Sequence, residues 1–244
     1  MTYEAGECWR LNLLGMWELS RDERRVHVAS RQQRLIAALA LLPPRPRVAL
    51  AGTLWPDSSE RHASGNLRAA LCRIRHELPG LLEPGDEPLA LSSRIRTDVT
   101  AYRERVDRIG TPGWSFDAGL LDTLRTVELL PGWYDDWICI EQERFRQQRM
   151  RSLHALIRAL LTLGESSRAL EAAQVAVLAD PLDESSQSLL IEAQISSGNH
   201  AGAARQLNRF EALVETELGV QPSSRIRRLV EVGAVRDRVA RSSS

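Results

Sequence analysis

The chain contains no lysine; all 32 of its basic side chains are arginine. That absence excludes a Schiff-base lysine, a phosphate-loop lysine and a kinase-type lysine. GC-rich coding accounts for such a bias without any function, although arginine suits bidentate phosphate contacts better than lysine does. Cysteine is scarce: Cys8, Cys72 and Cys139 are odd in number and far apart, which argues against a disulfide framework and against a zinc cluster. Reduced thiols are expected. No apolar run approaches the ~20 residues of a membrane span, and the N-terminus MTYEAGECWR lacks the basic start and apolar core of a signal peptide. A cytoplasmic location with no membrane partner follows. Catalytic patterns are missing as well: there is no G-x-S-x-G, H-E-x-x-H, G-x-G-x-x-G or phosphate-loop pattern, and His27, His62, His76, His154 and His200 lack metal-ligand spacing. The expectations are no enzyme, no metal and no cofactor.

The apolar and charged contents, 43% and 26%, are ordinary for a globular chain, and 244 residues suggest two domains. Net charge is zero, yet it is unevenly spread. Between Arg24 and Arg96, twelve arginines stand against six acids: Asp57, Glu60, Glu77, Glu83, Asp86 and Glu87. A local basic surface of this kind is what phosphate attraction requires, whatever the whole-chain balance.

Leading into that basic stretch, Leu11 to Leu19 and Arg25 to Ala29 suggest a small hairpin or sheet. Ser30 has the look of an N-cap, with Gln33 in capping-box spacing, and Leu35, Ile36, Leu39 and Leu42 form a helix stopping before Pro43-Pro44. A second helix is expected from about Arg47 to Leu54 and Trp55. Asp57, Ser58 or Ser59 then caps a third helix from Ser59 to Leu78. Its Ala63, Leu67, Ala70, Leu71, Ile74 and Leu78 share one apolar stripe, while Arg61, Ser64, Arg68, Cys72 and Arg75 fall opposite. An arginine row there suits guanine edges and phosphates in a major groove; the plainer reading is a solvated charged face. Leu81 to Thr97, with Pro84-Gly85-Asp86 and Pro88, reads as a turn and short hairpin carrying Arg94 and Arg96. Three helices and a basic hairpin describe a winged helix-turn-helix.

Asp98 to Leu130 reads as a mixed connector punctuated by Gly110, Pro112, Gly113 and Gly119. From Glu141 onward the pattern is helical. Gly164 and Gly198 are 34 residues apart, as are Ala169 and Ala203, the period of the tetratricopeptide hairpin. Ala176 and Pro181 complete the first unit, whereas Phe210 replaces the second small residue of the next unit and its closing proline is absent. Leu218-Gly219 and Pro222-Ser223 mark a stop and a new cap, opening a last helix to about Arg241. The fold class is therefore mainly α, with a small sheet near the N-terminus. Such helical pairs leave a concave surface for protein contacts, or serve as scaffold or dimerising module.

Several smaller features have two readings each. His62 and His76 flank the arginine helix, within reach of phosphate or simply on the surface. Asp135 and Asp136 beside Trp133, Tyr134 and Trp137 read better as a helix start with aromatic anchors than as an acidic site. Cys72 among arginines is a redox-sensor candidate, but a spectator thiol at an interface is the simpler reading.

The residues Leu14-Gly15, RQQRLIAALALL (31–42), LWPD (54–57), Ala63, Leu67-Arg68 and Arg73-Ile74-Arg75, then LLPGWYDDW (129–137), Glu143 to Arg146, DPLDE (180–184) and ELGVQPS (217–223), in this order, resemble the Streptomyces antibiotic regulatory protein family. The resemblance covers nearly the whole chain. It implies an OmpR-like winged helix-turn-helix over 8–108 and a bacterial transcriptional activator domain, tetratricopeptide-like, over 109–244. It also implies tandem or dimeric binding to direct repeats in double-stranded promoter DNA and contact with RNA polymerase holoenzyme, usually at genes of secondary metabolism. Arg61, Ser64, Arg68 and Arg75 would contact DNA from the recognition helix, with Arg73 at its flank. Arg94 and Arg96 would do so from the wing, and Arg31 and Arg34 from the first helix. Pro43 to Arg47, PPRPR, departs from the short, softer link usual there. No receiver, nucleotide-hydrolysing or sensor domain is apparent, so a small stand-alone form is expected. The rival reading is a protein-interaction adaptor whose winged helix has lost DNA affinity.

Overall fold

Leu11, Leu13 and Leu19 lose all solvent exposure, and around them the N-terminal stretch forms its sheet. A computed structural model describes residues 9–85 and 88–232. Strand β1 (Trp9–Asn12) pairs antiparallel with β2 (Glu18–Arg21), which pairs with β3 (Arg24–Arg25). After three helices the chain returns as β4 (Arg96–Thr97), parallel to β1, giving the order β3-β2-β1-β4. The helices between are α1 (Ser30–Leu41), α2 (Arg47–Leu54) and α3 (Glu60–Glu77). In α1 the cap is Ala29, not Ser30, which is the first helical residue; Gln33 Nε2 donates instead to the Val28 carbonyl at 2.7 Å. Pro46 occupies the cap position of α2, so the proline-rich link sets the start of that helix rather than disrupting it.

The expected connector is largely helical: α4 (Asp98–Asp107) and α5 (Ala118–Thr126) occupy it. Their short apolar sets, Val99, Tyr102 and Val106, then Leu120, Leu121 and Leu124, are buried, but each is too brief to stand out against the glycines around it. Helix α6 (Asp136–Thr162) starts five residues before the Glu141 expected, with Asp135 accepting the Cys139 N–H at 3.0 Å. It is followed by α7 (Ser166–Ala179), α8 (Glu184–Ser196), α9 (His200–Leu218) and α10 (224–232). The expected continuation of α10 to Arg241 lies outside the described residues, as does Cys8.

The chain divides into two compact units, one running through Glu104 and adding Val127–Arg146, the other Arg105–Thr126 with the residues from Gln147 onward. Residues 127–146 join the first unit although they follow the boundary expected at 108. In that unit Leu14 bridges Leu129, Leu130 donates its N–H to Leu13 O at 2.8 Å, and Tyr102 packs on Phe145 at 5.1 Å between ring centroids.

In the second unit the 34-residue period is physical. Gly164 and Gly198 both adopt positive φ, 74° and 77°. Glu165 donates to Leu160 O and Gly164 to Leu161 O; 34 residues on, Asn199 donates to Gln194 O and Gly198 to Ile195 O. Each turn is thus the same helix stop, needing glycine at the left-handed position. Ala169, Ala176 and Ala203 are fully buried, and Phe210 fills the position of Ala176 in a cluster with Ile191, Val214 and Ile226. Helix α7 ends at Ala179 before Pro181; α9, with Glu215 at the corresponding place, runs on to Gly219, whose φ of 65° ends it.

Candidate nucleic-acid interface

The rotation of α3 about its axis is set by the burial of Ala63, Leu67, Ala70, Leu71 and Ile74. That burial leaves Arg61, Arg68, Arg73 and Cys72 exposed and Ser64 half-buried on the other side. The exposed row from Arg61 to Arg75 extends about 20 Å along the helix. Ser59 is the cap: its hydroxyl accepts the His62 N–H at 3.4 Å and lies 2.8 Å from His62 Nδ1. His62 is therefore tied to the helix start, while His76 is exposed.

Arg75 is not a free member of the row. It donates to the Gly85 carbonyl at 3.0 Å, holding the turn that follows α3. That turn is a short hairpin bridged at Leu82 and Leu91, with Glu83 N–H to Ala90 O at 3.0 Å and Ser92 N–H to Leu81 O at 2.9 Å. Its base is closed by Ser93, whose N–H donates to Glu83 Oε1 at 2.6 Å. The hydrogen bonds from Ser93, with Arg94 nearby, hold the Glu83 carboxyl below the usual carboxylate range. Arg94 is exposed just beyond the hairpin. Arg96 is exposed but is no wing residue: it sits in β4 opposite Arg10, because the chain has already rejoined the sheet.

On α1, Arg31 is exposed, whereas Arg34 is half-buried and engaged within the protein. Its guanidinium donates to the Leu54 carbonyl at 2.7 Å and pairs with Asp135. Three of the sequence motifs, RQQRLIAALALL, LWPD and LLPGWYDDW, meet at this one side chain. Asp98 is the residue that sequence reasoning missed. Its carboxylate accepts the N–H groups of Leu13 at 2.9 Å and Leu14 at 2.8 Å, closing the end of β1. Burial pushes its carboxyl up despite those bonds. The available signal was an acid standing alone beside the apolar Val99 at a helix start. Asp136 opens α6 and Trp137 is buried, as a helix start with anchors requires, while Tyr134 is exposed. Among the described residues, no group of three His, Cys, Asp or Glu is placed to hold a metal, and no helix is long and apolar enough to cross a membrane.

No curated protein sequence matches the chain. Residues 120–232 match the family of the bacterial transcriptional activator domain. A solved structure of Mycobacterium tuberculosis EmbR, in complex with a low-affinity phosphopeptide, is similar to this chain at 17% identity and a TM-score of 0.75. The match covers 94% of this chain and 66% of the EmbR chain, so the protein spans just under two thirds of the EmbR length. At 17% identity the likeness to EmbR shows the fold, and the family match gives residues 120–232 as similar to a bacterial transcriptional activator domain.

Proposed function

We propose that the protein binds double-stranded promoter DNA with α3 in the major groove and activates transcription by presenting its helical repeats to RNA polymerase holoenzyme. It would act in the cytoplasm without enzymatic activity, as a dimer or as tandem protomers on direct repeats upstream of a secondary-metabolite gene cluster. The observation that carries this reading is the exposed pair Arg61 and Arg68, with Arg73 exposed at the flank, on a helix whose opposite face is buried. Arg31 and Arg94, also exposed, are placed in the proposal as phosphate contacts. The adaptor alternative predicts an arginine face occluded by the C-terminal domain or by a partner; the exposure of Arg61 and Arg68 supports the DNA-binding reading over it.

The test is capture of fragmented genomic DNA by the purified full chain at two salt concentrations. Enrichment of a few promoter fragments with spaced repeats is expected, and Arg68→Ala should weaken binding to them by ~1–3 kcal/mol if its contact is to a base. Arg94→Ala should instead weaken all sequences alike and flatten the salt slope. Absence of enrichment over the Arg68→Ala control would overturn the reading.

A further inference from the structure

We infer that the repeat unit carries a docking groove for an acidic amphipathic protein segment, between α8 and α10. The inference does not depend on DNA binding by α3. A groove of about 570 Å³ has Ile195, Leu229 and Val232 as its apolar floor and Arg225 and Arg228 on its rim. Through Glu192 and Arg225 it continues into a polar recess of about 180 Å³ that adds Arg158, Ser185 and Ser188. The floor is pre-formed, because Ile195 and Leu229 pack against the buried cluster of Ile191, Phe210 and Ile226.

Charge decides the occupant. Glu184, also in the recess, is engaged by Ser223, which donates its N–H at 3.0 Å and its hydroxyl to that carboxylate. Arg158, Arg225 and Arg228 stand against Glu184 and Glu192, a surplus of one positive charge around an apolar floor, and the Ser223 bonds hold the Glu184 carboxylate away from an incoming ligand. The chain's own residues 233–244 hold Arg236, Arg238 and Arg241 against Asp237, so they carry the wrong sign to fill it. An isolated phosphate would leave the apolar floor exposed. A helix with apolar anchors at three- and four-residue spacing and carboxylates alongside matches both the floor and the rim.

The probe is a fluorescein-labelled helical peptide of leucines at that spacing and glutamates elsewhere, with one twin carrying lysine for glutamate and another serine for leucine. Anisotropy is read on the full chain at physiological salt. The glutamate-leucine peptide should bind about tenfold tighter than either twin, and Arg225→Glu with Arg228→Glu should transfer the preference to the lysine peptide. Arg209→Glu, on exposed α9 surface and not lining the groove, should change nothing. Equal binding of the charge twins, equal binding of the serine twin, or an Arg209→Glu loss as large as that of the double variant would overturn the inference. If the double variant is misfolded by circular dichroism, Val232→Asp at a half-exposed position takes its place, and unchanged binding there overturns it equally.

Discussion

The two units are held together by different kinds of bond. In the first, single polar side chains reach far along the sequence: Asp98 closes β1 from 85 residues away and Arg34 meets Asp135 across 101. In the second, the same short-range turn is made twice, 34 residues apart, and the helices between are fastened by small buried residues and one aromatic. The first should fail when one polar group is removed, the second when its packing is hollowed. Tryptophan separates the two responses. Trp9, Trp17, Trp55, Trp133 and Trp137 lie in the first unit and Trp114 alone in the second, so fluorescence reports mainly the first and far-ultraviolet dichroism weights the helical second.

The largest effect is expected at Phe210, 2% exposed in the core of the second unit. Phe210→Ala removes the ring that substitutes for a repeat alanine and should cost about 3–5 kcal/mol, because α8, α9 and α10, which supply its cluster, cannot collapse fully onto the void. In urea, the dichroism midpoint should fall while the fluorescence midpoint stays. Movement of both together would break the comparison, showing that the units unfold as one.

Asp98→Ala is the counterpart in the first unit. It leaves the part-buried Leu13 and Leu14 N–H groups without their acceptor, and at ~1–3 kcal/mol for each donor left unsatisfied the loss should be about 2–6 kcal/mol, toward the lower end because water reaches them in part. Here fluorescence should move most, and dichroism should show an early phase limited to the helices of the first unit. A loss much below 1 kcal/mol would mean that water replaces the carboxylate and that the clamp is not what orders β1.

These contrasts also explain what could be read in advance. The stripe of α3 was legible because Ala63 to Leu78 carries a periodicity that local spacing alone specifies, and the repeat because Gly164 and Gly198 each need a positive φ. The clamps were not legible. Nothing in the neighbourhood of Arg34 distinguishes it from Arg31; which of two helix arginines turns inward is decided by Asp135 and the Leu54 carbonyl, both supplied by distant segments. The tie from Arg75 to the turn was not legible for the same reason, since its partner is a backbone carbonyl ten residues on. Helices α4 and α5 were lost because their burial comes from tertiary packing of a few apolar residues between glycines.

Gly65 sharpens the comparison more gently. It sits inside α3 on the arginine side, and a Cβ there would meet nothing within 4 Å. Gly65→Ala should therefore stabilise the first unit by roughly 0.5–1 kcal/mol, as an exposed helix interior predicts. The gain should appear in the fluorescence midpoint and in the part of the dichroism that comes from the first unit's helices, and a loss would show that the glycine relieves strain in α3.

The smallest effect concerns pH and belongs to the second unit. His154 Nε2 lies 2.8 Å from the Ser186 hydroxyl and 3.1 Å from Asp183, the cap of α8. Ser186 spends its own proton on Asp183 at 2.6 Å, so its oxygen accepts from a neutral histidine carrying hydrogen on Nε2. Burial lowers the His154 pKa below its ordinary 6.5; Asp183 opposes this, and Arg158 adds to it. A folded value below the unfolded one means that the unfolded chain binds more protons between the two. The stability held by neutral His154 is therefore complete above 6.5 and declines as pH falls below it toward the folded value. Asp183 acts at lower pH. Burial raises its pKa, but the Ser186 side-chain and backbone hydrogen bonds and the nearby His154 outweigh that and bring it below 3.8, so its contribution persists until the pH drops beneath that value. The dichroism midpoint in urea should fall on acidifying from 6.5, and His154→Gln, which keeps a donor without a titrating ring, should flatten that fall. A midpoint that instead rises on acidification would show that the Asp183 pairing, not burial, governs this histidine.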